Sequence, residues 1–266
     1  MKLTIGMPSY NNYQEVVFTV QALRMYQNLE DCELLVIDNY GSEQLEKFCK
    51  STKVRYIKWN EAPSSHVVKN QVFKNANGRF TLCIDSHIFL MSGVIKKLKN
   101  WIDKNQDCPN LLQGPMVNAA LTTEIDFYKD EWRGNQWGTW GKSHELKPNR
   151  AIFEIQMTGS GLMCCKTDEW VGFNESFIGF GAGEGYIHEK FRKHGKKVMC
   201  LPFLEWWHYF RNQWGKQEPV PYPLKQEHRI HNYLVGFREL GLDLEPVYNL
   251  FGREQVNKID KQYFGS

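Results

Sequence analysis

FTLCIDSHIF, residues 80–89, decides how the rest of the chain is read. Four of its first five residues are apolar or aromatic, and then Asp85, Ser86 and His87 follow together. A short apolar run of this kind, preceded by Gly78, is a buried strand. Residues i and i+2 of an extended segment point to the same side. Asp85 and His87 therefore share a face, at about the separation that one divalent ion bridges. A carboxylate oxygen with an imidazole nitrogen suits Mn²⁺, and Mg²⁺ less well. Taken alone, the pair serves equally to hydrogen-bond neighbouring loops, and both readings stand at this point.

Working outward, the first hundred residues alternate strand-like and helix-like patterns. LTIGMP (3–8), CELLVID (32–38), VRYIKW (54–59) and FTLCI (80–84) are apolar runs of strand length. Between them, residues 15–26 carry Val16, Val20 and Leu23 at helical spacing, and residues 66–77 read as a helix with Gly78 as its C-cap. Ser92 is placed to cap a helix whose inner face holds Val94, Leu98 and Ile102. Such alternation predicts an α/β fold with a mostly parallel central sheet flanked by helices. Ligands of these sheets sit beyond the carboxyl ends of the strands. Pro8-Ser9-Tyr10, Asp38-Asn39 and Asp85-Ser86-His87 each follow a strand directly, so three polar clusters converge on one rim.

The second half is less regular. Residues 124–150 hold WRGNQWGTWGKSHE (132–145), whose tryptophans and glycines predict a loop or flap. IFEIQMTGSGLMCC (152–165) reads as two strand segments around a glycine turn. GFNESFIGFGAGEG (172–185) leads into a helix with Ile187 and Phe191 inward and Gly195 at its end. VMCLP (198–202) is another strand, followed by FLEWWHYFR. After EPVPYP the tail has a helical stretch near 226–240, with His228 and His231 on its surface.

The whole chain has 266 residues, 42% hydrophobic and 24% charged, with 14% aromatics and nine tryptophans. That is the balance of a globular protein. A net charge of +3 tolerates phosphate-bearing ligands but is too small to argue nucleic acid by itself. Seven cysteines without a CxxC pair imply a reducing, cytoplasmic setting. No window approaches the length of a transmembrane segment, and the N-terminus lacks a signal-peptide pattern. The glycines at 179, 181, 183 and 185 fit neither GxGxxG nor a P-loop; they are expected to let the backbone approach a ligand closely.

In this order and spacing, MPSYN after the first strand, VIDNYGS after the second, NANGRFTLCIDSH and the later TGSGLMCCKTDEWVGFNESFIGFGAGEGYIHEKFRKHGKKV resemble the GT-A glycosyltransferases. The chain is most similar to the family-2-like enzymes and to the polypeptide N-acetylgalactosaminyltransferases, whose metal motif is Asp-x-His. The likeness runs over about residues 3–211. It implies a GT-A domain over 1–215, Rossmann-like, with a C-terminal helical extension, 216–266, packed on it. It also implies a metal, Mn²⁺ or Mg²⁺, held by Asp85, His87 and His208, the last in WWHYFR. On the same ground Pro8, Tyr10, Asp38, Lys69, Asn70, Asp85 and Ser86 are expected at the nucleotide-sugar. Glu184 stands where inverting members place the general base, with Gly185 in the position of a second acid. Trp137, Trp140 and Gly161 are expected at a lid or the acceptor.

The function so implied is transfer of a sugar from a nucleotide-diphosphate sugar, UDP by family frequency, to a hydroxyl of a saccharide. Two alternatives are a phage-type DNA glycosyltransferase acting on a hydroxymethylated base or its sugar, and a nucleotide-sugar-binding module without catalysis, for which Gly185 is the argument. A nucleotidyltransferase would need a glycine-rich basic motif after the first strand, and MPSYNNYQE has none.

Overall fold

The protein's structure is a computed structural model and describes residues 1–61, 64–117, 124–141, 150–209, 222 and 224–265. The alternating first part folds as β1 (Leu3–Ser9), α1 (Tyr13–Tyr26), β2 (Cys32–Asp38), α2 (Glu43–Ser51), β3 (Arg55–Lys58), α3 (Val67–Asn75) and β4 (Phe80–Ile84). Then come β5 (Ile88–Leu90), α4 (Val94–Lys104), β6 (Leu111–Gln113), β7 (Met116–Val117), β8 (Glu124–Ile125), β9 (Phe127–Arg133) and β10 (Gln136–Gly141). The remainder is β11 (Phe153–Glu154), β12 (Leu162–Lys166), α5 (Glu184–Lys193), β13 (Val198–Cys200), β14 (Trp206–His208), α6 (Gln226–Leu240), α7 (Glu245–Phe251) and α8 (Arg253–Phe264).

Eight strands form the central sheet in the order β11-β13-β6-β12-β4-β1-β2-β3. The β4-β1-β2-β3 block is parallel throughout, as right-handed crossovers through α1, α2 and α3 require. β12 enters antiparallel between β4 and β6. Alternation along β1 shows why both faces need helices. Leu3, Ile5 and Met7 join the core under α1, α2 and α4. Gly6 points the other way, where a Cβ would run into Val72 of α3. The opposite core gathers Val68, Val72 and Phe73 of α3 with Ile187 and Phe191 of α5 and Val235 of α6. α7 and α8 close a third apolar cluster against α6.

Four local expectations are corrected. Gly78 does not cap α3, whose C-cap is Ala76; a Cβ at Gly78 would strike the backbone of Leu3 and Thr4, and its N–H donates to Thr4 Oγ1 (2.8 Å). Ser92 does not cap α4; Gly93, left-handed at φ +74°, precedes it. The tryptophan-rich segment contains a hairpin rather than a loop. β9 and β10 pair antiparallel across Gly134-Asn135, with Gly134 at φ +54°. Cross-strand neighbours Trp132–Trp137 and Tyr128–Trp140 supply the apolar contacts that make strands of it. Residues 142–149 of the expected flap lie outside the described residues. His231, expected on a helix surface, is buried and stacks on Phe264.

A small sheet, β5-β14-β7-β8, sits beside the rim of the large one. Its register matters most for function. β14 runs antiparallel to β5, so that His208 lies opposite Ile88, next to His87. No helix among the described residues is long and apolar enough to cross a membrane.

Candidate active site

At the carboxyl ends of β1 and β4 opens a cleft of about 390 Å³. Asp85 leaves β4 with its N–H bonded to Gly161 O (2.8 Å), beyond the point where β12 pairs with β4. A side chain at Gly161 would come within 3.2 Å of Asp85 Oδ2 and 3.0 Å of the Trp206 ring, so glycine keeps that wall open. Tyr209 N–H donates to His87 O (3.0 Å), which fixes β14 against the turn after β4.

These constraints bring Asp85, His87 and His208 together, with one ligand atom from each within 4.8 Å of the others. The two Nε2 atoms are 3.2 Å apart. Two imidazole nitrogens and a carboxylate oxygen converging on one point fit a divalent cation. Glu15, in the first turn of α1, stands 3.4 Å from His87 Nδ1. A carboxylate behind a histidine directs the other nitrogen's lone pair forward, as partners of metal-bound histidines do. Sequence reading missed Glu15, because an acid in a helix's first turn is ordinarily only a dipole charge.

Lys69 lies buried at the bottom of the cleft, its Nζ 3.1 Å from Asp85 Oδ1 and 2.6 Å from Ser160 O. Burial would raise the Asp85 carboxyl, but Lys69, then His87 and His208, outweigh it and hold the group below the usual carboxylate range. The Lys69 ammonium is correspondingly raised, because Asp85 overcomes the cost of its burial. Burial, then His87, brings His208 down to about 3, so its ring is neutral. His66, buried among Phe173, Phe177 and Phe180, is likewise held at about 3, by burial and then by Lys69.

Glu184 opens α5 and faces the same cleft, with Ser160 Oγ 3.4 Å from its Oε1. The backbone beneath it is held by His188, whose Nδ1 meets Glu184 O and whose Nε2 is 2.7 Å from Gln113 Oε1. Gln113 in turn donates to Gly159 O (3.1 Å) and Leu162 O (3.2 Å). One buried network thus ties Glu184 to the loop that carries Ser160 and Gly161.

Pro8, Tyr10 and Ser86 line the cleft. Ser86 Oγ accepts from Asn12 Nδ2, and Tyr10 stacks on Tyr222 with ring centroids 4.2 Å apart. Trp140 also lines it. Three expected site residues are used elsewhere. Asp38 is fully buried and accepts from Tyr40 N, Ser42 N and the Tyr56 hydroxyl, which closes the β2–α2 turn. Asn70 fastens the 170–175 loop, bonding Phe173 N and O, Glu175 and the Trp170 indole. Trp137 turns away to Phe237, 5.2 Å between centroids, and donates its indole N–H to Asp130.

Trp137 also explains Gly185. A Cβ there would collide with the Trp137 ring, and at Gly183 with His66, at Gly179 with His228 and at Gly181 with Arg229. The glycines admit the protein's own side chains rather than a ligand. Gly185 is therefore accounted for by packing, and it no longer argues for a module without catalysis. Gly185→Ala is expected to lower unfolding stability by about 1–3 kcal/mol, the usual cost of overpacking, even though alanine is worth about 1 kcal/mol more in a helix. Thermal unfolding checks it; an unchanged or raised midpoint removes the steric explanation.

With this geometry in place, comparison with known proteins is informative. A family model described as glycosyl transferase family 2 matches residues 4–163, more than half of the chain. The chain belongs to glycosyl transferase family 2. The match includes Asp85 and His87 and ends before Glu184 and His208. Among curated protein sequences none matches this family member. Among solved structures it is similar to GalNAc-T7 with UDP, GalNAc and Mn²⁺, at 14% identity and a TM-score of 0.71, over 99% of this chain and 57% of that one. It is also similar to S. aureus TarS 1-349 in complex with UDP-GlcNAc, at 15% identity and a TM-score of 0.63, over 99% and 73%. This family 2 member thus has the GT-A fold and spans little more than half the length of the GalNAc-T7 structure.

Proposed function

We propose that this family 2 member is a metal-dependent glycosyltransferase that moves a sugar from a UDP-sugar to a saccharide hydroxyl. The observation that carries the reading is the meeting of Asp85, His87 and His208 in one cleft with Glu184. The neighbours support the donor class: UDP, GalNAc and Mn²⁺ in one, UDP-GlcNAc in another.

Asp85, His87 and His208 hold the divalent ion, which supplies positive charge for the diphosphate when bound. Lys69 keeps Asp85 ionised and in place. Pro8, Tyr10 and Ser86 border the nucleotide-sugar. Asp38 and Asn70 serve it from behind, by shaping the turns at the rim. The acceptor oxygen bonds to the anomeric carbon, the bond from that carbon to the diphosphate breaks, and the nucleoside diphosphate leaves. Glu184 takes the acceptor's proton as it attacks, and Trp140 presents a flat wall to the sugar. Residues 1–215 are the transferase domain in this reading and 216–266 its extension, of which α6, α7 and α8 pack on that domain. Seven free cysteines suit a reducing compartment, the cytoplasm.

A panel of UDP-, GDP-, dTDP- and CMP-sugars, each with Mn²⁺ or with chelator, tests the donor. A ligand at about 100 times its Kd adds about 2.7 kcal/mol to stability, which for a chain of this size is a rise of roughly 5–10 °C. The UDP-sugar with Mn²⁺ is expected to give it. No shift with any donor overturns the reading, and an equal shift under chelation overturns its metal dependence.

A further inference from the structure

Resting on that reading, we propose that the acceptor is an anionic saccharide. Arg133, stacked on the Trp140 ring, binds its phosphate or carboxylate.

The hairpin is built as a wall. On the side away from the cleft, Trp132 and Trp137 pack on Tyr233 and Phe237 of α6, at 5.0 and 5.2 Å between centroids. Trp137 N–H donates to the Tyr233 hydroxyl (2.9 Å). Tyr128 N–H is tied to Met157 O (2.6 Å). Such bracing is not needed by a solvated loop, and it holds Arg133, Gln136 and Trp140 at the cleft.

Among the described residues that line that cleft, Arg133 is the basic side chain without an ion pair. Lys69 is spent on Asp85. Arg133 forms no ion pair among the described residues; its guanidinium lies over the Trp140 ring, 4.7 Å from the centroid, with a long contact to Gln136 Oε1 (3.4 Å). Stacking occupies the flat face of a guanidinium and leaves its N–H edge free, the edge that forks onto phosphate and carboxylate. A substrate laid over such a cation takes it out of water, which is unfavourable unless the substrate brings a counter-charge.

The hairpin that carries Arg133 stands against the first turn of α5: a Cβ at Gly185, next to Glu184, would meet the Trp137 ring, and one at Gly159, next to Ser160, would meet the Tyr128 hydroxyl. Arg133 thus stands on the Glu184 side, where the acceptor lies. Tyr128 also takes a hydrogen bond from the Trp140 indole, so the stacking ring is set in angle as well as in place. Glu184 repels an anion beside itself, so the acceptor's charge goes to Arg133 and its hydroxyl to Glu184. The hairpin therefore chooses both which saccharide enters and which way round it lies.

Release of nucleoside diphosphate, with the UDP-sugar that binds in the panel, tests this against glucose, glucose 6-phosphate, glucuronate and a short single-stranded DNA oligonucleotide. Wild type is expected to use the phosphate or carboxylate sugar at least tenfold better than glucose, by kcat/KM. A charge-assisted contact corresponds to about 10- to 100-fold in affinity. Arg133→Gln should bring the ratio of charged to neutral acceptor close to one through KM, and Arg133→Lys should keep an intermediate ratio, having charge without the fork. Equal use of neutral and charged sugars, a ratio untouched in Arg133→Gln, or transfer to the oligonucleotide alone overturns the proposal. Donor hydrolysis without transfer to any charged sugar does so too, while leaving the glycosyltransferase reading intact. Absence of both hydrolysis and transfer overturns the two together.

Discussion

His208→Ala is expected to abolish the Mn²⁺-dependent rise in melting temperature given by the UDP-sugar and to lower transfer by roughly 10³-fold, since a bound metal supplies several kcal/mol of charge stabilisation. The variant should still fold. The His208 ring is neutral because burial holds it near 3, and its removal strands no charge. Asp85→Asn should lose the same metal response for the same reason, but with a second consequence. Lys69 is buried and paired with Asp85 at 3.1 Å. Breaking a buried pair from one side leaves an uncompensated ion and costs about 3–5 kcal/mol. Asp85→Asn is thus expected to melt well below His208→Ala, although both lose the ion. Loss of both charges in Asp85→Asn/Lys69→Met should recover much of the stability and none of the transfer. Titration calorimetry with Mn²⁺ and UDP, beside thermal unfolding, reads the two effects separately. Full metal response in His208→Ala would show that the three side chains do not share an ion.

Asp85 and His87 are legible in the sequence because they depend only on a strand's two-residue period and on where the strand ends. His208 is another matter. Its position depends on the antiparallel register of β14 on β5 and on Tyr209 bonding His87 O, contacts separated by more than a hundred residues. Resemblance pointed to it; periodicity alone does not. Asp38 and Asn70 show the opposite limit. Each is polar and lies where a ligand would be expected, yet each is spent on backbone groups that burial would otherwise leave unpaired. Whether a carboxylate or an amide looks out or in is decided by loops that no local pattern reveals. The parallel order of the first strands was readable because the connections are short and helical. The insertion of β12 between β4 and β6 was not, and neither was the hairpin. Tryptophan beside glycine says loop by composition, whereas cross-strand partners and a brace on α6 make it two strands.

Glu184→Gln tests the other half of the site. It keeps size and hydrogen bonding toward Ser160 Oγ, 3.4 Å away, and removes only the capacity to take a proton. Positioned proton transfer contributes about 10²- to 10⁴-fold, so kcat for saccharide transfer should fall by that range, with donor affinity within a few-fold of wild type. Lys69 makes the expectation specific. Glu184 is among the charges that act on the buried ammonium, but behind Asp85 in effect, so neutralising Glu184 leaves Lys69 its principal partner. Glu184→Gln should therefore fold and hold Mn²⁺ and UDP, unlike Asp85→Asn. Glu184→Ala adds a cavity at the first turn of α5 and should be no less impaired. If both variants transferred at the wild-type rate, the proton would have to leave by another route. The network from Gln113 through His188 to Glu184 O would then serve to shape the loop at Ser160 rather than to aim a base. If instead only Glu184→Ala were slow, the carboxyl group would be orienting the acceptor hydroxyl by a hydrogen bond that an amide also makes. A rate measured across pH separates these cases: a base leaves an acid limb that Glu184→Gln erases, whereas an orienting group leaves the profile as it was.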